Sequence, residues 1–162
     1  MALTGVLRPG HVAIRVLEMG PALKHYIDVL GLIETARDEK GRVFLKAWDE
    51  HDHHSVVLRE TDEAGMDYLG WKVDSPATLK KLAGDIEKSK LCSDFEWIPK
   101  GEHPETGERF RFTIPTGHVM ELFAEKKHAL SESLRKVRPM KPSSESSNSR
   151  RSVSMISVGI LV

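Results

Sequence analysis

The sequence predicts an α+β domain in which two tandem βαβββ units share one cupped, mixed β-sheet with the helices outside. Three observations predict it. Apolar residues recur with period two in some segments and period 3.6 in others, in the order strand, helix, strand, strand, strand. That order occurs twice between about residues 6 and 126. The two occurrences also superpose residue by residue, which is architectural information independent of any motif.

The first unit covers about residues 6–64. In His11–Val16, Val12, Ile14 and Val16 fall on one face and His11, Ala13 and Arg15 on the other, as a strand requires. Leu23, Tyr26, Ile27 and Leu30 then recur at helical spacing, with Gly31 to stop the helix. Short strands are expected near Ile33–Arg37, Val43–Trp48 and Ser55–Arg59, with Glu39-Lys40-Gly41 turning between the first two. The second unit covers about residues 65–126. Tyr68–Val73 reads as its first strand, with Leu69, Trp71 and Val73 on the apolar face. Ser75-Pro76 starts a helix, a capping side chain followed by proline at the first helical position. Leu79, Leu82, Ala83 and Ile86 form that helix's stripe, and strands follow near Asp94–Ile98, Arg109–Ile114 and His118–Ala124.

His11 aligns with Tyr68 at an offset of 57 residues, and Val57 with Glu121 at an offset of 64. The difference of 7 is absorbed by a longer loop in the second unit, Gly101–Glu108. Each unit buries its helix on one sheet face, so the other faces are left to curl around a shared cleft.

Composition narrows the class without naming a function. The chain of 162 residues is 40% hydrophobic and 30% charged, with 24 basic and 24 acidic residues, so nothing points to a nucleic-acid partner. A single cysteine, Cys92, gives no disulfide framework and fits a reducing, cytoplasmic compartment. No apolar run approaches the ~20 residues of a membrane span, and Met1–Gly10 lacks a signal-peptide core. The folded domain is expected over residues 1–128. Residues 131–162 hold ten serines, no aromatic, six basic and two acidic side chains, and 129–162 reads as a disordered tail.

Several phrases carry a family resemblance: Arg8-Pro9-Gly10-His11-Val12, then Gly41–Trp48, Val57-Leu58-Arg59-Glu60, Gly65-Met66-Asp67 and Thr116–Leu122. In this order and spacing, residues 6–126 resemble the N-terminal domain of the catechol 2,3-dioxygenases. These are extradiol enzymes of the vicinal-oxygen-chelate fold, shared with glyoxalases and bleomycin-resistance proteins. The resemblance implies meta cleavage of catechol or a substituted catechol by O₂, with Fe(II) held by two histidines and one carboxylate in a second, catalytic domain. Residues 129–162 do not resemble that second domain, which a truncation or a shifted reading frame explains. On this reading the chain itself binds no iron and forms, at most, a homo-oligomer. The alternative is a small-molecule-binding module of the glyoxalase and bleomycin-resistance type, without catalysis.

In the catalytic copy of the fold, ligands stand on the first strand of each unit and the last strand of the second. Those positions here are His11, Tyr68 and Glu121. His11 and Glu121 have ligand chemistry and form a vestigial metal pair, while a neutral phenol at Tyr68 is a poor Fe(II) donor. Tyr68→His is therefore expected to complete the set, unless the three are relics in a packed cleft. Asp49-Glu50-His51-Asp52-His53-His54 is read as a solvated turn rather than a built metal site, and His118 as packed at a turn.

Overall fold

The computed structural model describes residues 5–129. The predicted tail, apart from Ala129, lies outside the described residues. The chain runs β1 (Val6–Val16), α1 (Met19–Leu23), a π-helical turn (Lys24–Val29), β2 (Ile33–Arg37), β3 (Val43–Lys46) and β4 (Val56–Glu60). The second unit follows as β5 (Gly65–Val73), α2 (Pro76–Ser89), β6 (Ser93–Ile98), β7 (Arg109–Thr113) and β8 (Val119–Phe123). All strands join one eight-stranded sheet in the order β2-β3-β4-β1-β5-β8-β7-β6.

The register bears out the repeat. β1 pairs parallel with β4, placing Ala13 opposite Val57, and β5 pairs parallel with β8, placing Gly70 opposite Glu121. Moving from the first pair to the second shifts the strands by 57 and 64 residues, the offsets read from the sequence. The units meet through antiparallel β1 and β5, with His11 opposite Gly70 and Ala13 opposite Tyr68. Those two pairs exchange under the internal two-fold. In each, a large ring faces a small residue.

Strand alternation sends residues to two different interiors. On the outer face of the first unit, Val43, Leu45, Val56 and Leu58 pack with Val12, Ile14, Val16 and the helix residues Met19, Ala22 and Leu23. On that of the second, Val73, Leu79, Ala83, Phe110, Phe112 and Leu122 form the core. Fully burying a valine, leucine or phenylalanine side chain contributes roughly 1.5–3 kcal/mol, so these two layers hold the helices to the sheet. The inner, concave face carries Ala13, Phe44, Val57 and Tyr68 beside a large set of polar groups.

The two helices depart from each other. In α2 the Ser75 side chain accepts the Thr78 N–H at 3.2 Å, as the Ser-Pro start predicts. Ser75→Ala is expected to lower stability by about 1 kcal/mol, read from urea unfolding at constant m-value. The first helix is not the continuous stripe expected through Leu30. It winds as α for five residues and then as π, where Leu30 N–H reaches back five residues to the His25 carbonyl at 3.0 Å. The wider turn rotates the last residues off the buried stripe, so Val29 and Leu30 stand 70% and 55% exposed.

Candidate functional site

The concave face is packed, not open. Strand β1 brings in His11, β5 Tyr68, β7 Arg109 and Arg111, and β8 Glu121. The segment before β4 adds Asp52 and His54, the loop before β7 Glu102 and His103, and the chain after β8 Lys126. His54, His103, Arg109 and Glu121 are fully buried, and His11, Asp52 and Lys126 nearly so.

Glu121 is the hub. Its carboxylate accepts from His11 Nε2 at 3.0 Å, from Arg111 at 2.8 Å and from Arg109 at 3.4 Å. Burial alone would raise its pKa, but the bond to His11 and the two guanidinium charges hold it far below the ordinary carboxylate range. A carboxylate only accepts, so His11 donates through Nε2 and its Nδ1 accepts from Lys126 Nζ at 3.0 Å. Burial first, then Lys126, lowers the His11 pKa to about 4. Burial likewise lowers Lys126 to about 7, against the opposing pull of Asp52 and Glu121. Tyr68 is held neutral, its pKa raised by burial and by Glu121, while Arg111 lies 4.0 Å over its ring. Its hydroxyl meets His103 Nε2 at 3.0 Å. Burial and the Arg109 charge lower His103 to about 2, and burial and Lys126 put His54 well below its usual value.

The small residues at the two-fold follow from this packing. A Cβ on Gly70 would overlap the His11 ring. Gly70→Ala is therefore expected to push His11 off Glu121 and cost about 1–3 kcal/mol, the range for an overpacked core, measured by thermal unfolding.

The structure brings His11, Tyr68 and Glu121 together, with the His11 and Tyr68 rings 5.8 Å apart. It does not arrange them for a metal. Both His11 nitrogens are engaged, two arginines hold Glu121, and Lys126 adds a third cation. The rings of His11, His54 and His103 lie 5.7–6.0 Å apart, yet among the described residues no three His, Cys, Asp or Glu side chains present donors that would hold a metal ion. The donor set does not fit Fe(II).

Two readings of polar residues need correction. Asp49–His54 is not simply a solvated turn: His54 is 0% and Asp52 1% exposed, the latter because Lys72 and Arg8 neutralise it at 2.8 and 2.7 Å. His118 is at a turn, as expected, but exposed, with Nδ1 2.9 Å from Thr116 Oγ1. His54, His103, Arg109 and Lys126 were not among the expected site residues. The Arg109-Phe110-Arg111-Phe112 alternation is the sequence feature that places two cations on the face of Glu121.

A mixed sheet of two βαβββ units around an internal two-fold is the vicinal-oxygen-chelate fold. Within that class the chain matches, over residues 66–127, the family model described as a catechol 2,3-dioxygenase-like N-terminal domain. It is 49% identical over 135 residues to the metapyrocatechase of Pseudomonas sp. strain CF600, covering 83% of this chain and 43% of that protein. The crystal structure of the 2,3-dioxygenase LapB from Pseudomonas sp. KL28 is similar at a TM-score of 0.75 and 51% identity, covering 79% of this chain and 44% of that one. A homoprotocatechuate 2,3-dioxygenase structure from B. fuscum matches at a TM-score of 0.73 and 25% identity over 82% of this chain and 36% of that one. The chain thus spans less than half the length of these relatives. No helix among the described residues is long and apolar enough to cross a membrane.

Proposed function

We propose that this domain is the part of an extradiol dioxygenase that shapes the molecule without holding its metal. The whole enzyme would cleave catechol or a substituted catechol next to the diol. Fe(II), bound elsewhere in such an enzyme, supplies a site where catecholate and O₂ meet side by side. The observation that carries this reading is the ion cluster at the equivalent ligand positions, in a chain 49% identical to a metapyrocatechase. His11 and Glu121 are a vestigial pair: the ligand chemistry persists, and Arg109, Arg111 and Lys126 take the place of the cation. Tyr68→His adds a donor but removes none of those charges, so it leaves Fe(II) affinity unchanged. Anaerobic Fe(II) titration of parent and variant checks this.

The purified chain, loaded anaerobically with Fe(II), given catechol and then opened to air, should form no ring-fission product above the buffer rate. Product formation by the chain would show that the domain carries a working metal site and overturn the assignment.

A further inference from the structure

Loop 101–108, the excess of the second unit over the first, reaches across the mouth of the concave face. Glu102 is its latch. Its carboxylate takes Arg109 from its own unit, and Lys40 at 2.9 Å and Arg42 at 2.8 Å from the other. Arg42 also donates to the Glu102 carbonyl at 3.0 Å. Burial would raise the Glu102 pKa, but Lys40 and Arg109 bring it down to about 2, so the latch stays charged. Gly101 and Glu105 both have left-handed backbone, φ +88° and +55°, and the short segment between them doubles back to carry His103 inward.

His103 packs among the rings of the concave face. Its imidazole lies edge-on to Phe44 at 5.1 Å, near-parallel to Tyr68 at 6.3 Å, and 5.7 Å from the His54 ring. Tyr68 Oη meets it at 3.0 Å. The fit is incomplete. Among the described residues, His103 Nδ1 and His54 Nε2 are buried without a hydrogen-bond partner, as are the Nε atoms of Arg15, Arg109 and Arg111. Buried polar groups are nearly always satisfied, so the unpartnered nitrogens of the adjacent His103 and His54 rings, 5.7 Å apart, call for an explanation.

We propose that the concave face is a self-occluded pocket for a small planar aromatic molecule bearing a hydrogen-bond acceptor, and that His103 occupies the ring position. Phe44, nearly perpendicular to the ring, and Tyr68, tilted 30° to it, bound the slot, and the Tyr68 hydroxyl supplies the polar contact. An oxygen or nitrogen acceptor on the ligand takes the Tyr68 O–H that now meets His103 Nε2. Release of the Glu102 latch exposes the slot. The pocket requires no metal and stands apart from the ring-cleavage reading.

The test uses the full chain with His103→Ala, and phenol, imidazole and toluene as probes in thermal unfolding and calorimetry. Phenol or imidazole should raise the Tm of His103→Ala with rising concentration, at concentrations that leave the parent unmoved. Adding Tyr68→Phe should weaken that binding about fivefold, the worth of one neutral hydrogen bond. Toluene, similar in size but without an acceptor, should bind less well than phenol. Arg42→Ala provides a second route: it loosens the latch while keeping His103, so phenol should bind, but more weakly because it competes with the resident ring. A folded His103→Ala in which neither polar probe shifts the Tm overturns the proposal. If His103→Ala does not fold, an Arg42→Ala variant indifferent to phenol does the same.

Discussion

Lowering the pH from about 6.5 to 4 is expected to unfold this domain. His11, His54 and His103 are neutral in the folded state because burial and the Lys126 and Arg109 charges lower their pKa values, to about 4 for His11 and about 2 for His103. In the unfolded chain they titrate near the usual 6.5. Below that value the unfolded state binds protons that the folded state refuses, so stability present at neutral pH is lost as pH falls. Each such imidazole contributes a slope of about 1.4 kcal/mol per pH unit. Three acting together exhaust a typical stability of about 5–15 kcal/mol within a few units. Glu121 and Glu102, with pKa values below the ordinary range, add to the loss below about pH 4.5. Lys126 acts in a different window, pH 7 to 10.5: there its folded form has lost the proton that the unfolded form keeps, so stability rises with pH. Urea unfolding at half-unit pH intervals checks this. A midpoint constant from pH 7 to 5 would show that the three imidazoles accept protons in place.

Removing the hub should be the most damaging single change. Glu121→Leu takes away the buried carboxylate that Arg109, Arg111 and His11 all contact, leaving guanidinium charge uncompensated in the interior. Breaking a buried ion pair from one side costs about 3–5 kcal/mol, because the stranded charge keeps its desolvation penalty. Glu121→Gln keeps the shape and accepts fewer charged bonds, so it should fall between. Arg109 Nη2 remains tied to Glu102, which limits the damage to one side of its guanidinium. Adding Arg111→Met to Glu121→Leu should then recover part of the loss, a coupling read from the double-mutant cycle. Additive losses would mean that Arg111 reaches solvent once Glu121 is gone.

Much of the architecture was legible because alternation and helix stripes are local. Ile33–Arg37 is a strand as read, and Ser75-Pro76 caps α2 as read. The offsets of 57 and 64, together with the ligand positions that the family resemblance implies, singled out His11, Tyr68 and Glu121, and the fold brings them together. What stayed hidden is what a polar residue does when the chain folds over it. His54 and His103 lie in polar segments that look solvated, and only the cup closing over them makes them interior. The first helix misled for a different reason. The spacing of Leu23, Tyr26, Ile27 and Leu30 fits an α-helix, but the extra residue in each π turn is a backbone choice that side-chain periodicity does not record.

The position of β1 has a consequence for synthesis on the ribosome. The first strand to be made ends in the middle of the sheet, between β4 and β5. The first unit can pair internally once β4 emerges, but the opposite edge of β1 has no neighbour until Gly65–Val73 is translated. At about 5–20 residues per second, the 57 residues from Val16 to Val73 leave that edge bare for roughly 3–10 s. Pro9, near the start of β1, cannot donate a backbone hydrogen bond, and Arg8 and Arg15 place charge along the same strand. A nascent chain stalled before residue 65 should therefore recruit holdase chaperones more strongly than one stalled after residue 73.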